Sequence, residues 1–84
     1  MSTTLITERI VLSVLADFGE NMTAEPRLLA PVNEISATPV TRDDLRQVLR
    51  TLDNKRQVIG ISGDDYTKWK ISANGRARLA EAGL

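Results

Sequence analysis

The sequence predicts one small α+β domain, built from a three-helix core, a two-stranded β-hairpin and a short C-terminal helix. Three observations carry this expectation. Leu45, Val48, Leu49 and Leu52 recur at helical spacing behind the start Thr41, Arg42, Asp43, Asp44. The aliphatic run Val58, Ile59, Ile61 and the alternating run Tyr66 to Ser72 flank the turn-forming Ser62 to Asp65. Weaker helical patterns occupy the first forty residues and the last twelve. Eighty-four residues suit a single hydrophobic core, so positions 1–84 are assigned to one domain.

The first helix is expected to open at Thr7, a capping residue with Glu8 in the first turn, where the helix dipole favours an anion. Ile10, Val11, Val14, Leu15 and Phe18 then form one apolar face, and Gly19 supplies the stop. Leu12 lies off that face, on a flank of the core or against a second subunit. The next helix is expected to be capped by Thr23 and to carry Pro26 in its first turn, where a missing N–H costs nothing. Leu28, Leu29, Val32 and Ile35 are its candidate buried side. Pro31 predicts a kink, or a helix ending near Ala30 with a separate turn after it.

The third helix is the best defined. Thr41 caps it, Asp44 three residues on completes a variant of the capping box, and Val40 and Leu45 can staple its entry. It should run to Asn54 or Lys55. In the hairpin loop, Gly63 is free to take positive φ. Ser72 can cap the final helix, Ala73 to Ala82, with Gly83 as its stop. Leu45, Val48, Leu49, Leu52, Val14, Leu15, Phe18 and Trp69 are the expected core.

Composition narrows the function. The chain has neither Cys nor His, so it lacks the cysteine nucleophile, the thiolate metal ligand and the commonest general base. No paired carboxylates stand at a spacing that suggests acid–base work, and Glu8, Asp17, Glu20, Glu25 and Glu34 read as solubilising surface. No catalytic residue, cofactor or metal is therefore expected, and an enzyme is disfavoured. No stretch nears the roughly 18 apolar residues of a membrane span, and the opening Met1 to Leu5 lacks the features of a secretory signal. The expected compartment is the cytoplasm.

Net charge is zero, yet it is unevenly spread. Residues 1–40 carry a balance of −3 and residues 41–84 a balance of +3. On the outer face of the third helix lie Arg46, Gln47 and Arg50, with Arg42 in its first turn. The like charges of Arg46 and Arg50 at four-residue spacing cost a helix roughly 0.2–0.5 kcal/mol, which an opposing anion relieves. Arginine can read guanine bidentately and glutamine adenine, while Arg42 suits a phosphate. On the hairpin, Lys68 and Lys70 alternate with Trp69 and Ile71 and share a side with Tyr66. They can straddle a nucleic-acid backbone, with Tyr66 adding a phosphate hydrogen bond.

The alternative is a solvated face. Asp43 and Asp53 stand three residues from Arg46 and Arg50 and can pair with them, and lysines on a strand also discourage edge pairing. Asp64 and Asp65 at the hairpin tip count against deep insertion. Trp69, which shares a face with Ile71, reads as core.

The segment TRDDLRQVLRTLDNKRQVIGIS resembles the recognition helix and first wing strand of winged helix-turn-helix regulators. The segment KWKISANGRARL resembles the second wing strand and following helix of MarR- and PadR-like regulators, in which a strand-ending Ser or Thr precedes a Gly-Arg pair, here Gly75-Arg76. The chain departs from those families in lacking long terminal dimerisation helices and in carrying two prolines in its second helical region. The resemblance implies a small DNA-binding transcriptional regulator of bacterial or phage type. Its third helix would enter the major groove of double-stranded DNA, and its wing would follow the backbone. With few cations per unit, a homodimer on two half-sites is expected, helped by Leu5, Ile6, Leu12 and Leu84. The competing expectation is a module that binds a protein partner and not DNA.

Overall fold

The computed structural model describes residues 3–81, with side chains from Thr7 onward. The elements run α1 (Thr3–Phe18), β1 (Thr23–Ala24), α2 (Glu25–Ile35), α3 (Arg42–Asn54), β2 (Val58–Ser62), β3 (Thr67–Ile71) and α4 (Ala73–Glu81). Helices α1, α2 and α3 pack on one another, and the sheet, ordered β1-β3-β2 and antiparallel throughout, closes one side. This is the arrangement expected of a winged helix. The core is aliphatic: Val11, Leu12, Val14, Leu15, Leu28, Val32, Leu45, Val48, Leu49, Leu52, Val58 and Ile71 are buried, with Trp69 at the sheet side.

Helix α3 forms as its ends dictate. The Thr41 side chain accepts from the Asp44 amide at 3.1 Å, and the Asp44 carboxylate accepts from the Thr41 amide at 3.2 Å. The two groups satisfy each other's otherwise orphaned donors. At the other end, the Arg56 amide donates to the Asp53 carbonyl and the Gln57 amide to the Leu52 carbonyl, both at 2.9 Å. That is the double bond pattern of a Schellman stop. The residue in the left-handed position is Arg56, at φ 60°, where glycine is usual. Upstream, the Asn33 side chain fixes the entry into α3. Its amide nitrogen donates to the carbonyls of Leu29 and Val40, and its oxygen accepts from the Val40 amide at 2.7 Å.

Helix α4 is seated by Ser72 and Gly75. The Ser72 hydroxyl donates to the Arg56 carbonyl at 2.7 Å and accepts from the Gly75 amide at 3.1 Å. A Cβ on Gly75 would run into the Gln57 carbonyl oxygen, so the glycine of the Gly75-Arg76 pair is a packing requirement.

Several expectations are corrected. Helix α1 begins at Thr3 and not at Thr7, because residues 3–6 contain no Gly or Pro to interrupt it. Thr23 does not cap α2; it pairs with Trp69 as part of β1, and Ala24 stands at the cap position with no side-chain bond. Pro31 lies inside α2, which continues to Ile35. Leu28 and Val32, one turn apart and fully buried, hold that helix together across the missing donor. Phe18 and Ile35 are exposed, at 36% and 54%, since both sit at helix ends that overrun the core. Leu12 is buried in the core and is unavailable to a second subunit, while the side chains of Leu5, Ile6 and Leu84 lie outside those described. Gly63 does not take positive φ. It is needed for space, because a Cβ there would meet the Tyr66 carbonyl oxygen at 2.7 Å. Gly83 and the end of the last helix fall outside the described residues.

Candidate nucleic-acid interface

The hairpin has two faces, and its register sorts them. Gly60 pairs with Trp69 and Ser62 with Thr67, while Ile59 pairs with Lys70 and Ile61 with Lys68. Directly opposed residues share a face. Gly60, Ser62, Thr67 and Trp69 therefore line one side, and Ile59, Ile61, Lys68 and Lys70 the other.

The first side looks across an open groove at α3. One wall carries Arg42, Arg46, Arg50 and Asp53 at one-turn spacing; the other carries Gly60, Ser62, Thr67 and the tip residues Asp65 and Tyr66. Glu25 and Trp69 form the floor. Periodicity explains the arginine row. With Leu45, Leu49 and Leu52 turned inward, positions 42, 46, 50 and 53 fall on the flank of α3 nearest the hairpin. All three arginines are exposed, as is Tyr66 at 51%.

The groove sets three arginines against three carboxylates, Glu25, Asp53 and Asp65, of which Glu25 alone pairs with an arginine of the row. Glu25 stands at the first position of α2, where the dipole favours an anion. One of its oxygens accepts from Trp69 Nε1 at 3.3 Å, and the other lies 3.5 Å from Arg46 Nε. Its side chain is 18% exposed against 55% for Arg46. Asp43 and Asp53, the expected partners of Arg46 and Arg50, make no ion pair with them. Among the described residues, Arg42 and Arg50 have no ion-pair partner within 4.0 Å.

The remaining candidates lie elsewhere. Gln47 is exposed midway along α3, bordering the Thr38–Val40 turn and not the groove. Lys68 is exposed and Lys70 half-buried on the outer face of the hairpin. The Lys70 ammonium lies 3.2 Å from Glu20, which also reaches Arg76 at 3.6 Å. Arginines and lysines are thus divided between the two faces, with Tyr66 bordering both.

Three carboxylates read from sequence as plain surface have partners. Glu25 joins the groove, and Glu20 ties the end of α1 to β3 and α4. Glu8 is buried, with its carboxylate 2.8 Å from Lys55 Nζ. In the sequence Glu8 carried a helix-start reading beside Thr7, and Glu25 only its place beside Pro26. The partners lie 21 and 44 residues away, beyond any local pattern. Among the described residues no three His, Cys, Asp or Glu side chains are grouped to hold a metal ion, and no helix is long and apolar enough to cross a membrane.

The sequence matches no protein-family model and no curated protein. Solved structures do match. F93 from STIV, a winged-helix DNA-binding protein, superposes with a TM-score of 0.78 at 17% identity, covering 93% of this chain and 84% of its own. A PadR family transcription regulator from hypervirulent Clostridium difficile superposes with a TM-score of 0.71 at 11% identity, covering 92% and 82%. At such identities the likeness is one of backbone. The chain has the winged-helix fold, with β2–β3 as its hairpin wing.

Proposed function

We propose that the protein is a small sequence-specific DNA-binding protein, a cytoplasmic transcriptional regulator of bacterial or phage type. The observation that carries this reading is the row Arg42, Arg46, Arg50 facing the hairpin across an open groove. A helix of 13 residues, about 20 Å long, fits the major groove of duplex DNA. Arg46 and Arg50 reach guanine edges, Gln47 an adenine edge, and Arg42 and Tyr66 the phosphates on either side. Lys68 and Lys70, on the outer hairpin face, follow the backbone as the wing turns along it. One unit presents few cations, so the working form is a homodimer on two half-sites about one helical turn apart. Both similar structures are described as DNA-binding or regulatory proteins, which supports the same reading.

Titration of the protein against mixed genomic duplex fragments at low salt tests this. Saturable binding that weakens steeply with salt is expected. No binding by folded protein refutes it.

A second reading has its own observation. Ile59 and Ile61 are 40% and 57% exposed on the outer hairpin face, beside lysines of which one is already paired with Glu20. An apolar strip of this kind suits a protein partner better than a phosphate backbone.

A further inference from the structure

We propose that Glu25 is the specificity-determining residue of the groove: it selects a base edge over backbone phosphate as the partner of Arg46. The inference rests on the DNA-binding reading and names what that same site discriminates.

Glu25 is fixed on both sides. Trp69 Nε1 donates to one carboxylate oxygen at 3.3 Å, and the Trp69 ring is itself buried and pinned over Gly60. The carboxylate is therefore set in the floor, with little freedom to swing into solvent. Its other oxygen forms an ion pair with Arg46 at Nε, the inner nitrogen, 3.5 Å away. With Nε as the contact, Glu25 meets the guanidinium on its stem side. A fork held by its stem is suited to the paired O6 and N7 acceptors of guanine, which need both terminal nitrogens in one plane.

The same carboxylate acts against phosphate. A phosphate seated on Arg46 would come within a few ångströms of a second fixed anion in a partly enclosed groove, where like charges repel strongly. A guanine edge is neutral and carries no such penalty. Arg42, which has no carboxylate within 4.0 Å among the described residues, remains open to phosphate. The groove thus singles out Arg46 from Arg50, two arginines that the sequence treats alike.

Glu25→Gln isolates the charge, because a glutamine oxygen still accepts from Trp69 Nε1. Wild type and variant are each titrated with an unselected pool of random 20-base-pair duplexes at several salt concentrations. Each is also used to enrich binders from that pool. Trp69 emission and the urea midpoint are recorded alongside to confirm that the floor is intact. The variant should bind the unselected pool about threefold to tenfold more tightly. Its dependence of log K on log salt should steepen by about one unit, as one more phosphate contact forms. Its enriched duplexes should lose a guanine preference that wild type retains.

If wild type binds and Glu25→Gln leaves affinity, salt slope and enrichment unchanged, Glu25 is a structural residue only and the inference is overturned while the DNA reading stands. Binding by the variant alone overturns the inference, because the wild type then selects no base edge. If neither protein binds, the DNA reading fails and the inference fails with it. Should the variant prove unstable, Arg46→Gln on the wild-type background supplies the second test. It must lose guanine preference while losing less than one unit of salt slope, because Arg46 in the wild type makes no phosphate contact. A full unit lost there overturns the proposal.

Discussion

The ring of Trp69 lies across Gly60 on the neighbouring strand, so that a Cβ at position 60 would stand 2.5 Å from the ring. The absent side chain is what lets the tryptophan pack over the neighbouring strand as part of the groove floor, within reach of Glu25. A glycine in mid-strand is unfavourable for the strand itself, and here the ring's packing offsets that cost.

Gly60→Ala should therefore destabilise the domain by about 1–3 kcal/mol, the usual cost of forcing a side chain into a filled site. Trp69 is the single tryptophan, so its emission should shift to the red in the folded variant. Urea unfolding followed by fluorescence measures both effects at once.

Leu49 is fully buried at the centre of the core. Truncation to Ala should cost roughly 2–5 kcal/mol, a large share of the stability of a domain this small. Circular dichroism during thermal unfolding should show the variant melting far below wild type or unfolded at room temperature.

Arg56 holds the left-handed position of the α3 stop at φ 60°, a conformation costly for any residue with a Cβ. Arg56→Gly should raise stability by about 0.5–1 kcal/mol, the relief of strain exceeding the added entropy of the unfolded chain. A higher urea midpoint at unchanged slope would show it. If stability falls, the arginine side chain contributes more to the turn than its backbone costs.

On the outer hairpin face, the two lysines should differ. Lys68→Ala should lower the salt slope of DNA binding by about one unit and weaken all duplexes alike. Lys70→Ala should lower it by less, because its ammonium is already paired with Glu20. Equal effects would mean that the Glu20 pair opens on binding.

The oligomeric state needs its own test. Leu12, one of the apolar residues that suggested pairing, is committed to the core. The expected homodimer then depends on surfaces other than Leu12. Sedimentation equilibrium at micromolar concentration should give twice the 9.3 kDa chain mass; a strictly monomeric species removes the symmetric two-site arrangement.

What was legible in the sequence was what local rules govern. The third helix announced itself through Thr41 and Asp44 at one end and four inward-facing aliphatics along its length. The hairpin followed from alternation around a turn. Strand β1 could not be read, since two residues become a strand only when β3 offers them partners. Of the two readings left open at Pro31, a helix ending near Ala30 is excluded, because burial of Leu28 and Val32 outweighs the local penalty. For the site, the residues on α3 could be named from periodicity alone, while their division from Lys68 and Lys70 depended on the strand register. Glu25 was missed since its role arises from two contacts that exist only after folding.

The most direct measurement is to map the bound surface on the folded protein. Backbone amide shifts in a two-dimensional nitrogen–proton NMR spectrum, recorded while a short duplex is added at low salt, report it residue by residue. The account predicts changes concentrated along Arg42 to Arg50 and at the hairpin residues Ser62 to Thr67, with the Trp69 indole signal moving alongside. Changes confined to Ile59, Ile61 and the outer hairpin face, or none at all, would contradict it.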